Sequence, residues 1–328
     1  MKNAIKVICF VLAVIVIGVS SCYIYFTWDI GEFEVSAGSE KGTVIITNYL
    51  GNNEDVVIPK SLRGKKVVSI DNSAFQGLDN IKSVTIGENV KSVGNNAFQN
   101  CENLQKIDMG ISVERLGNMA FANCPNLTEV KFSPVLKEFG HMVWGNIENN
   151  INVDLNGNKN FVFDKGILYS SDYSVIYESL IAADLTDYVL PETVVELRPY
   201  AFYMQKELKT LKLNSGIKTI PEGCFIQCSG LTELVLPDTV TSIATVVLAG
   251  SGIETVTIPD SVVKIDDFAF IKDGSEINIV DKIQGKDDEN SAVNTDPAKK
   301  ITIITTEGSF ASTFARRHNF NFKLVDSL

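Results

Sequence analysis

The chain has 328 residues and a formal net charge of −11, with 29 Lys and Arg against 40 Asp and Glu. Hydrophobic residues make up 45% and charged residues 21% of the sequence, which excludes a mainly disordered chain. Because the charge is acidic and no dense basic run occurs, the composition argues against nucleic acid as a partner. A repeat protein reaches this length without a second domain, since each repeat contacts only its neighbours.

The chain begins with an apolar segment. Lys2 and Lys6 precede a run from residue 7 to residue 26 that contains no charged residue. About twenty apolar residues are enough to cross a bilayer, and the positive flank is expected to stay in the cytoplasm. We therefore interpret residues 1–27 as an export segment that attaches the protein to the outer face of the membrane.

Two forms of this attachment remain open. As an uncleaved anchor, the segment ends in aromatic residues such as Tyr23 and Trp28, which suit a membrane interface. As a lipoprotein signal, it ends in Val-Ser-Ser-Cys, which resembles a bacterial lipobox and makes Cys22 the lipidated residue. Both forms predict contact with the membrane through this segment only.

A strand-rich cap is predicted next, and a repeat with a period of about 23 residues follows it. The repeat is marked by an aromatic residue, replaced once by leucine, with an apolar residue five positions earlier. The marker positions are Phe75, Phe98, Phe121, Trp144, Phe202, Phe225, Leu248 and Phe270. A fixed period in this range indicates a solenoid.

Each repeat contains one short strand. In the unit of Phe98, Ile107 and Met109 alternate with polar residues, so their side chains are predicted to point inward. Stacked one per unit, these strands predict a parallel sheet along one face. The Ala-Phe segments lack alternation and are too short for a full helix, so they predict turn or 3-10 pieces on the opposite side.

The period breaks once, because Trp144 and Phe202 lie more than two periods apart. Runs of β-formers at residues 161–163 and 167–169, joined by a Lys-Gly turn, predict a hairpin that projects from the solenoid. Both a structural insertion and a binding element remain open for it. The C-terminal residues predict a strand, a helix with Ser309 as its N-cap, and a second strand.

These patterns divide the chain into seven predicted units. They are an anchor or signal (1–27), an N-terminal β cap (28–66), repeats (67–144), irregular hairpin-containing repeats (145–190), repeats (191–280), a polar loop (281–300) and a C-terminal cap (301–328).

Four cysteines lie at repeat positions. Cys101, Cys124 and Cys228 each follow the marker by three residues, and Cys224 takes the alanine position of Ala-Phe. Because a free cysteine behaves as a small buried hydrophobe, the spacing favours core packing over a disulfide or a metal site.

The unit from Val93 to Leu104, followed by Ile107 and Met109, closely resembles the BspA-like (Treponema pallidum type) leucine-rich repeat. The resemblance covers about residues 33–325, with Trp144, Leu248 and Cys224 as departures from the pattern. It implies a curved right-handed solenoid with its parallel sheet on the concave side. Members of the family are typically bacterial surface or secreted proteins, and some resemble adhesins that bind host matrix proteins.

The sequence predicts no enzyme and no cofactor. His141 and His318 are the only histidines, and they fall in a repeat turn and in the closing helix. No phosphate-binding glycine loop, nucleophile elbow or zinc-protease motif occurs, so no catalytic or metal-binding residue is assigned.

The outward side chains of the stacked strands are the candidate binding surface. They are Ser83, Thr85, Lys106, Asp108, Glu129, Lys131, Thr210, Lys212, Glu233, Thr255 and Thr257. We predict a cell-surface adhesion or protein-interaction module that binds a host or envelope protein through this face. A carbohydrate-binding or structural envelope protein is the alternative, although the rows contain no aromatic cluster.

Overall fold

The computed structural model describes residues 28–271 and 301–327. The predicted anchor, with Cys22, and the predicted loop at 281–300 lie outside these residues. Within the two ranges, no helix is both long enough and apolar enough to span a membrane.

The protein is a parallel β-solenoid, and this confirms the predicted fold class. Each regular turn of chain contributes a three-residue strand, a corner, a two-residue strand and a turn that carries the marker residue. The strands stack in register with those of the neighbouring turns.

The strands form one layer of longer repeat strands and one of shorter strands. The long-strand layer consists of β4 (Asp55–Val57), β7 (Ser83–Thr85), β9 (Lys106–Asp108), β11 (Glu129–Lys131), β12 (Asn152–Asp154), β16 (Asp187–Val189), β18 (Thr210–Lys212), β20 (Glu233–Val235), β22 (Thr255–Thr257), β24 (Thr302–Thr306) and β25 (Asn321–Val325). The short-strand layer consists of β8 (Ser92–Val93), β10 (Arg115–Leu116), β17 (Glu196–Leu197), β19 (Thr219–Ile220), β21 (Ser242–Ile243) and β23 (Lys264–Ile265). The remaining strands are β1 (Trp28–Ile30), β2 (Phe33–Ala37), β3 (Thr43–Tyr49), β5 (Ser61–Leu62), β6 (Lys65–Ile70), β13 (Phe161–Asp164), β14 (Ile167–Ser170) and β15 (Val175–Ser179).

The turns that carry the marker residues form a third column, which we call the turn column. A backbone hydrogen bond between successive turns forms each rung: Phe98 N donates to Ala120 O at 2.8 Å, and Phe121 N to Val143 O at 3.0 Å. For the markers from Phe75 to Leu248, the residues two before and two after the marker have a left-handed backbone conformation, as at Asn96 (φ 56°) and Asn100 (φ 62°). Asparagine adopts this conformation more readily than most residues. The structure therefore has turns here, not 3-10 helices.

The marker residues stack inside the turn column. The ring centroids of Phe75 and Phe98 are 4.8 Å apart, and those of Phe98 and Phe121 are 5.5 Å apart. Tyr49 continues this stack at 5.3 Å from Phe75, so it is the marker of the first turn. Trp144 fills the same position and is buried, as predicted.

The repeat cysteines are free and buried, which confirms the prediction of core packing. Each of three cysteines donates a hydrogen bond from its Sγ atom to the carbonyl of the marker in the preceding turn. The pairs are Cys101 with Phe75 at 3.1 Å, Cys124 with Phe98 at 3.1 Å and Cys228 with Phe202 at 3.0 Å. Burial raises the pKa of Cys228 to about 12 and that of Cys224 well above its ordinary value. These thiols therefore stay protonated at neutral pH.

The mid-chain hairpin does not project from the solenoid, so that part of the prediction is wrong. β13 pairs antiparallel with β14, and β14 pairs antiparallel with β15. β15 then pairs parallel with β17 and so rejoins the short-strand layer. Phe161 and Leu168 belong to the N-terminal part of the core, whereas Ile167 and Ile176 belong to the C-terminal part. The insertion fills the junction because both of its faces carry buried apolar side chains.

The C-terminal cap has the predicted order of strand, helix and strand. β24 pairs parallel with β22 on one side and with β25 on the other. Helix α1 (Phe310–Arg317) lies between β24 and β25 in the chain, and its N-cap is Ser309, whose side chain accepts a hydrogen bond from the N–H of Ser312. Phe314 packs from this helix against Phe270, the last marker.

Candidate functional site

The predicted binding residues all lie on the outward side of the long-strand layer, which we call the strand face. The middle residue of each strand is buried, as at Val84, Ile107 and Val130, and its two neighbours point outward. Two rows result from the register, one joining Ser83, Lys106 and Glu129, and the other Thr85, Asp108 and Lys131. These six residues share one five-stranded sheet.

The remaining predicted residues belong to two further sheets. Thr210 and Lys212 lie on β18, which pairs with β16. Glu233, Thr255 and Thr257 lie in the four-stranded sheet of β20, β22, β24 and β25. β18 and β20 lie side by side, so the strand face continues from one sheet to the next.

Charges in the N-terminal part of the strand face neutralise one another across the strands. Lys106 Nζ is 2.6 Å from Glu129 Oε2, and Lys131 Nζ is 3.1 Å from Asp108 Oδ2. The hydrogen bond to Glu129 raises the pKa of Lys106, so its ammonium stays charged. Exposed pairs of this kind hold side chains in place more than they stabilise the fold.

The C-terminal part of the strand face is different in character. Lys212 is exposed and has no ion pair with any residue of 28–271 or 301–327. The register places it between Val189, which is 62% exposed, and the strand that carries Val235, which is 50% exposed. Thr210 Oγ1 donates to Asp187 Oδ1 at 2.7 Å in the neighbouring row. A free ammonium between two exposed valines is therefore available to a partner.

Sequence reasoning missed several members of these rows. Asp55, Asn152 and Asp154 extend the rows of the first sheet, and Asp187 and Val189 begin those of the second. The period of 23 residues carries the signal for the later members, because counting forward from Glu129 and Lys131 or back from Thr210 and Lys212 reaches them. Asp55 lies 28 residues before Ser83 and so falls outside this period.

A cavity of about 220 Å³ lies on the turn column, where the insertion interrupts the repeat. Its walls include Asn118, His141, Met142, Pro199, Tyr200 and Glu222. The hydroxyl of Tyr200 donates to Glu222 Oε1 at 2.9 Å. Burial, together with the charge of Arg198, lowers the pKa of His141, so its imidazole is neutral at pH 7. Nothing in the sequence identified this cavity, because its walls come from turns on both sides of the break.

Metal-ion ligands and reactive nucleophiles are two kinds of group that indicate a catalytic site. No three His, Cys, Asp or Glu side chains of the described chain are placed to hold a metal ion. The buried thiols of Cys224 and Cys228 are protonated, and a thiol is a poor nucleophile compared with a thiolate. What the arrangement can do is present two rows of hydrogen-bonding and charged groups to another macromolecule.

Comparison with known proteins agrees with the repeat architecture. The sequence profile described as "BspA type Leucine rich repeat region" matches residues 48–173 and 179–276, in six copies. No curated protein matches the sequence.

Two solved structures with a TM-score above 0.5 show a similar fold. The pneumococcal vaccine antigen PcpA is similar over 92% of this chain and 98% of its own, with 14% identity and a TM-score of 0.62. A leucine-rich repeat protein from Eubacterium ventriosum is similar over 74% of this chain and 78% of its own, with 20% identity and a TM-score of 0.51. The T. pallidum leucine-rich repeat protein is 25% identical over 67% of this chain and 86% of its own, with a TM-score of 0.39.

Proposed function

Because the chain belongs to the BspA-type leucine-rich repeat family, we propose that it is a cell-surface module that binds another protein through the strand face. The observation that carries this proposal is the pair of outward rows that the long-strand layer presents on each side of the insertion. Stacked strands offer a partner a wide, regular surface of side chains, which is how solenoid proteins generally bind. No catalytic step is part of this proposal.

The proposed partner is a protein of the host matrix or of the cell envelope. The exposed valines beside Lys212 support a partner surface that combines an acidic group with apolar contacts. The proposed location is the bacterial surface, with attachment through residues 1–27 as a membrane helix or through a lipid at Cys22.

A pull-down tests the strand face directly. The full chain, kept in mild detergent because its N-terminal segment is apolar, is used as bait for host matrix and envelope extracts. A glycan array is screened with the same protein. Recovery of a defined protein partner is expected, whereas binding to glycans alone would support the carbohydrate-binding alternative.

Substitution of the strand-face lysines then localises the contact. We expect a variant with Lys106, Lys131 and Lys212 all changed to Gln to lose about tenfold or more in affinity for the recovered partner. The control changes Lys91, Lys218 and Lys264 to Gln, which removes the same charge from exposed positions outside the strand face. Equal affinity of the two variants would refute the strand face as the contact.

A further inference from the structure

The turn column has a regular pattern of rungs before the insertion. Three backbone N–H groups of one turn donate to carbonyls of the next: Met119 N to His141 O at 2.9 Å, Phe121 N to Val143 O at 3.0 Å, and Asn123 N to Gly145 O at 2.8 Å. The pattern resumes after the insertion, where Tyr200 N donates to Glu222 O at 3.0 Å. Each complete step of the column thus has three rungs.

At the insertion, only the middle rung is replaced. The carboxylate of Glu178 accepts hydrogen bonds from Val143 N at 2.8 Å and Trp144 N at 3.0 Å. On the other side, Ser179 N donates to Ala201 O at 2.9 Å. The end of β15 therefore lies where the middle of a full turn would be. It has no residues at the positions of the two outer rungs, which a full turn would supply.

One of the two outer rungs is bridged by side chains. The hydroxyl of Tyr203 donates to Asn146 Oδ1 at 3.0 Å, and Lys206 Nζ lies 3.1 Å from Glu148 Oε1. These contacts cross the gap without any contribution from the insertion. The column is thereby closed on this side.

The other outer rung is open. Met142 N and Pro199 O occupy the positions of a rung donor and a rung acceptor, yet neither makes a hydrogen bond to any residue of the described ranges. The cavity of about 220 Å³ lies here, with Met142 and Pro199 in its walls, and we call it the notch. Both groups therefore flank the place where the missing turn would lie.

One buried side-chain atom in the wall of the notch has no hydrogen-bond partner among the described residues. It is Nδ1 of His141, and the backbone groups Met142 N and Pro199 O beside it are unpaired as well. Buried polar groups in folded proteins are nearly always hydrogen-bonded, so these unpaired groups are available to a ligand that enters the notch.

We propose that the notch binds a short extended peptide segment of a partner protein, with a Lys or Arg side chain placed against Glu222. The main chain of the segment supplies the missing rung, with a carbonyl for Met142 N and an N–H for Pro199 O. Glu222 has no ion pair within the described residues, and Arg198 is directed to Glu196 at 3.5 Å. Met119 and Met142 offer the adaptable apolar wall that such sites use.

The notch is a second site, separate from the strand face, because its walls belong to the turn column. The two proposals therefore fail independently. If no partner binds the strand face, peptide binding at the notch is still expected. If no peptide binds the notch, partner binding at the strand face is still expected.

Methionine methyl groups report directly on the notch. The full chain in mild detergent is labelled with ¹³C at its methionine methyls and titrated with acetyl-Gly-Lys-Gly-amide. We expect the signals of Met119 and Met142 to shift, while that of the fully buried Met109 stays in place. Absence of these shifts up to about 10 mM peptide would overturn the proposal.

Variants and altered probes separate the two parts of the interaction. Glu222→Gln keeps the acceptor for Tyr200 and is expected to weaken peptide binding about tenfold, whereas Glu192→Gln on an exposed corner has no effect. Two altered probes each keep one part of acetyl-Gly-Lys-Gly-amide: a peptide with norleucine in place of lysine keeps the main chain, and n-butylammonium keeps the charged side chain. Each is expected to bind at least about tenfold more weakly than the lysine peptide. Equal binding by n-butylammonium would refute the main-chain contact, and equal binding by Glu222→Gln would refute the ionic one.

Discussion

Three of the four repeat cysteines, Cys101, Cys124 and Cys228, act as hydrogen-bond donors inside the core. The Sγ atom of Cys228 donates to the carbonyl of Phe202 at 3.0 Å, and Gln205 N donates a longer hydrogen bond, of 3.4 Å, to the same carbonyl. Cys224 is buried too, but it occupies the position that is alanine in the turns of Phe98 and Phe121. Two cysteines four residues apart thus contribute differently to stability.

Replacement by alanine separates the two roles. We expect Cys228→Ala to lower the free energy of unfolding by about 1–2 kcal/mol, because it opens a small cavity and leaves the Phe202 carbonyl with only the longer hydrogen bond from Gln205 N. Cys224→Ala is the matched control and is expected to change stability by less than about 0.5 kcal/mol, since alanine fits this position elsewhere. Urea unfolding measures both, and equal losses would contradict this account.

Glu178 is a buried carboxylate at the break in the repeat. Burial raises its pKa to about 8, although the hydrogen bonds from Trp144 N and Val143 N act in the opposite direction. The folded protein therefore binds a proton that the unfolded chain releases near pH 4.5. This contribution to stability is complete below that pH and is lost as the pH rises toward and through 8.

The variant Glu178→Gln tests whether the protonation of Glu178 makes the free energy of unfolding fall as the pH rises. Between pH 5 and pH 8, we expect the free energy of unfolding of the natural chain to fall by several kcal/mol more than that of the variant, on the order of 4 kcal/mol at most. The variant loses one acceptor, so its stability at pH 5 is lower. Glu192→Gln serves as the exposed control. Parallel pH profiles for all three proteins would show that Glu178 does not take up this proton.

At the scale of the turn, glycine sets the distance between successive repeats. Gly94, Gly117 and Gly140 lie at the same repeat position, four residues before a marker. A Cβ atom on Gly117 would lie 2.5 Å from Asn95 N, and one on Gly140 would lie 2.5 Å from the carbonyl carbon of Gly117. Backbone therefore packs directly on backbone at this position.

An added methyl group tests this close approach. Gly117→Ala is expected to lower the free energy of unfolding by about 3 kcal/mol, because the neighbouring backbone has to move. Gly157→Ala is the control: it has a left-handed φ of 74° and open space around it, so about 1 kcal/mol is expected. Thermal unfolding compares the two, and a smaller loss for Gly117→Ala would contradict the packing described here.

The period of the sequence predicts most of the elements but little of the break. Ile107 and Met109 are buried as the alternation requires, and the markers stack because every turn repeats the same apolar positions. The position of Glu178 was not predictable in this way, because a glutamate in a strand normally indicates an exposed residue. Its burial depends on the N–H groups of Trp144 and Val143, which lie far away in the sequence.

At the scale of the whole molecule, the core consists of two large clusters that meet at the insertion. The N-terminal cluster contains Phe98 and the C-terminal cluster contains Phe225, both fully buried. The short-strand layer and the long-strand layer are each interrupted between the two clusters. Because repeats stabilise mainly their neighbours, a defect in one cluster is expected to reach the other only weakly.

Hydrogen exchange in two variants, with one substitution in each core cluster, tests whether the clusters unfold independently. Phe98→Ala should destabilise its cluster by about 3–5 kcal/mol, so the amides of β7 to β10 are expected to lose protection while those of β20 to β23 keep it. Phe225→Ala should give the reverse pattern, and each variant serves as the control for the other. Loss of protection throughout the chain in both variants would mean that the insertion couples the two clusters into one cooperative unit. Retained protection across the break would instead identify the insertion as the boundary at which unfolding stops.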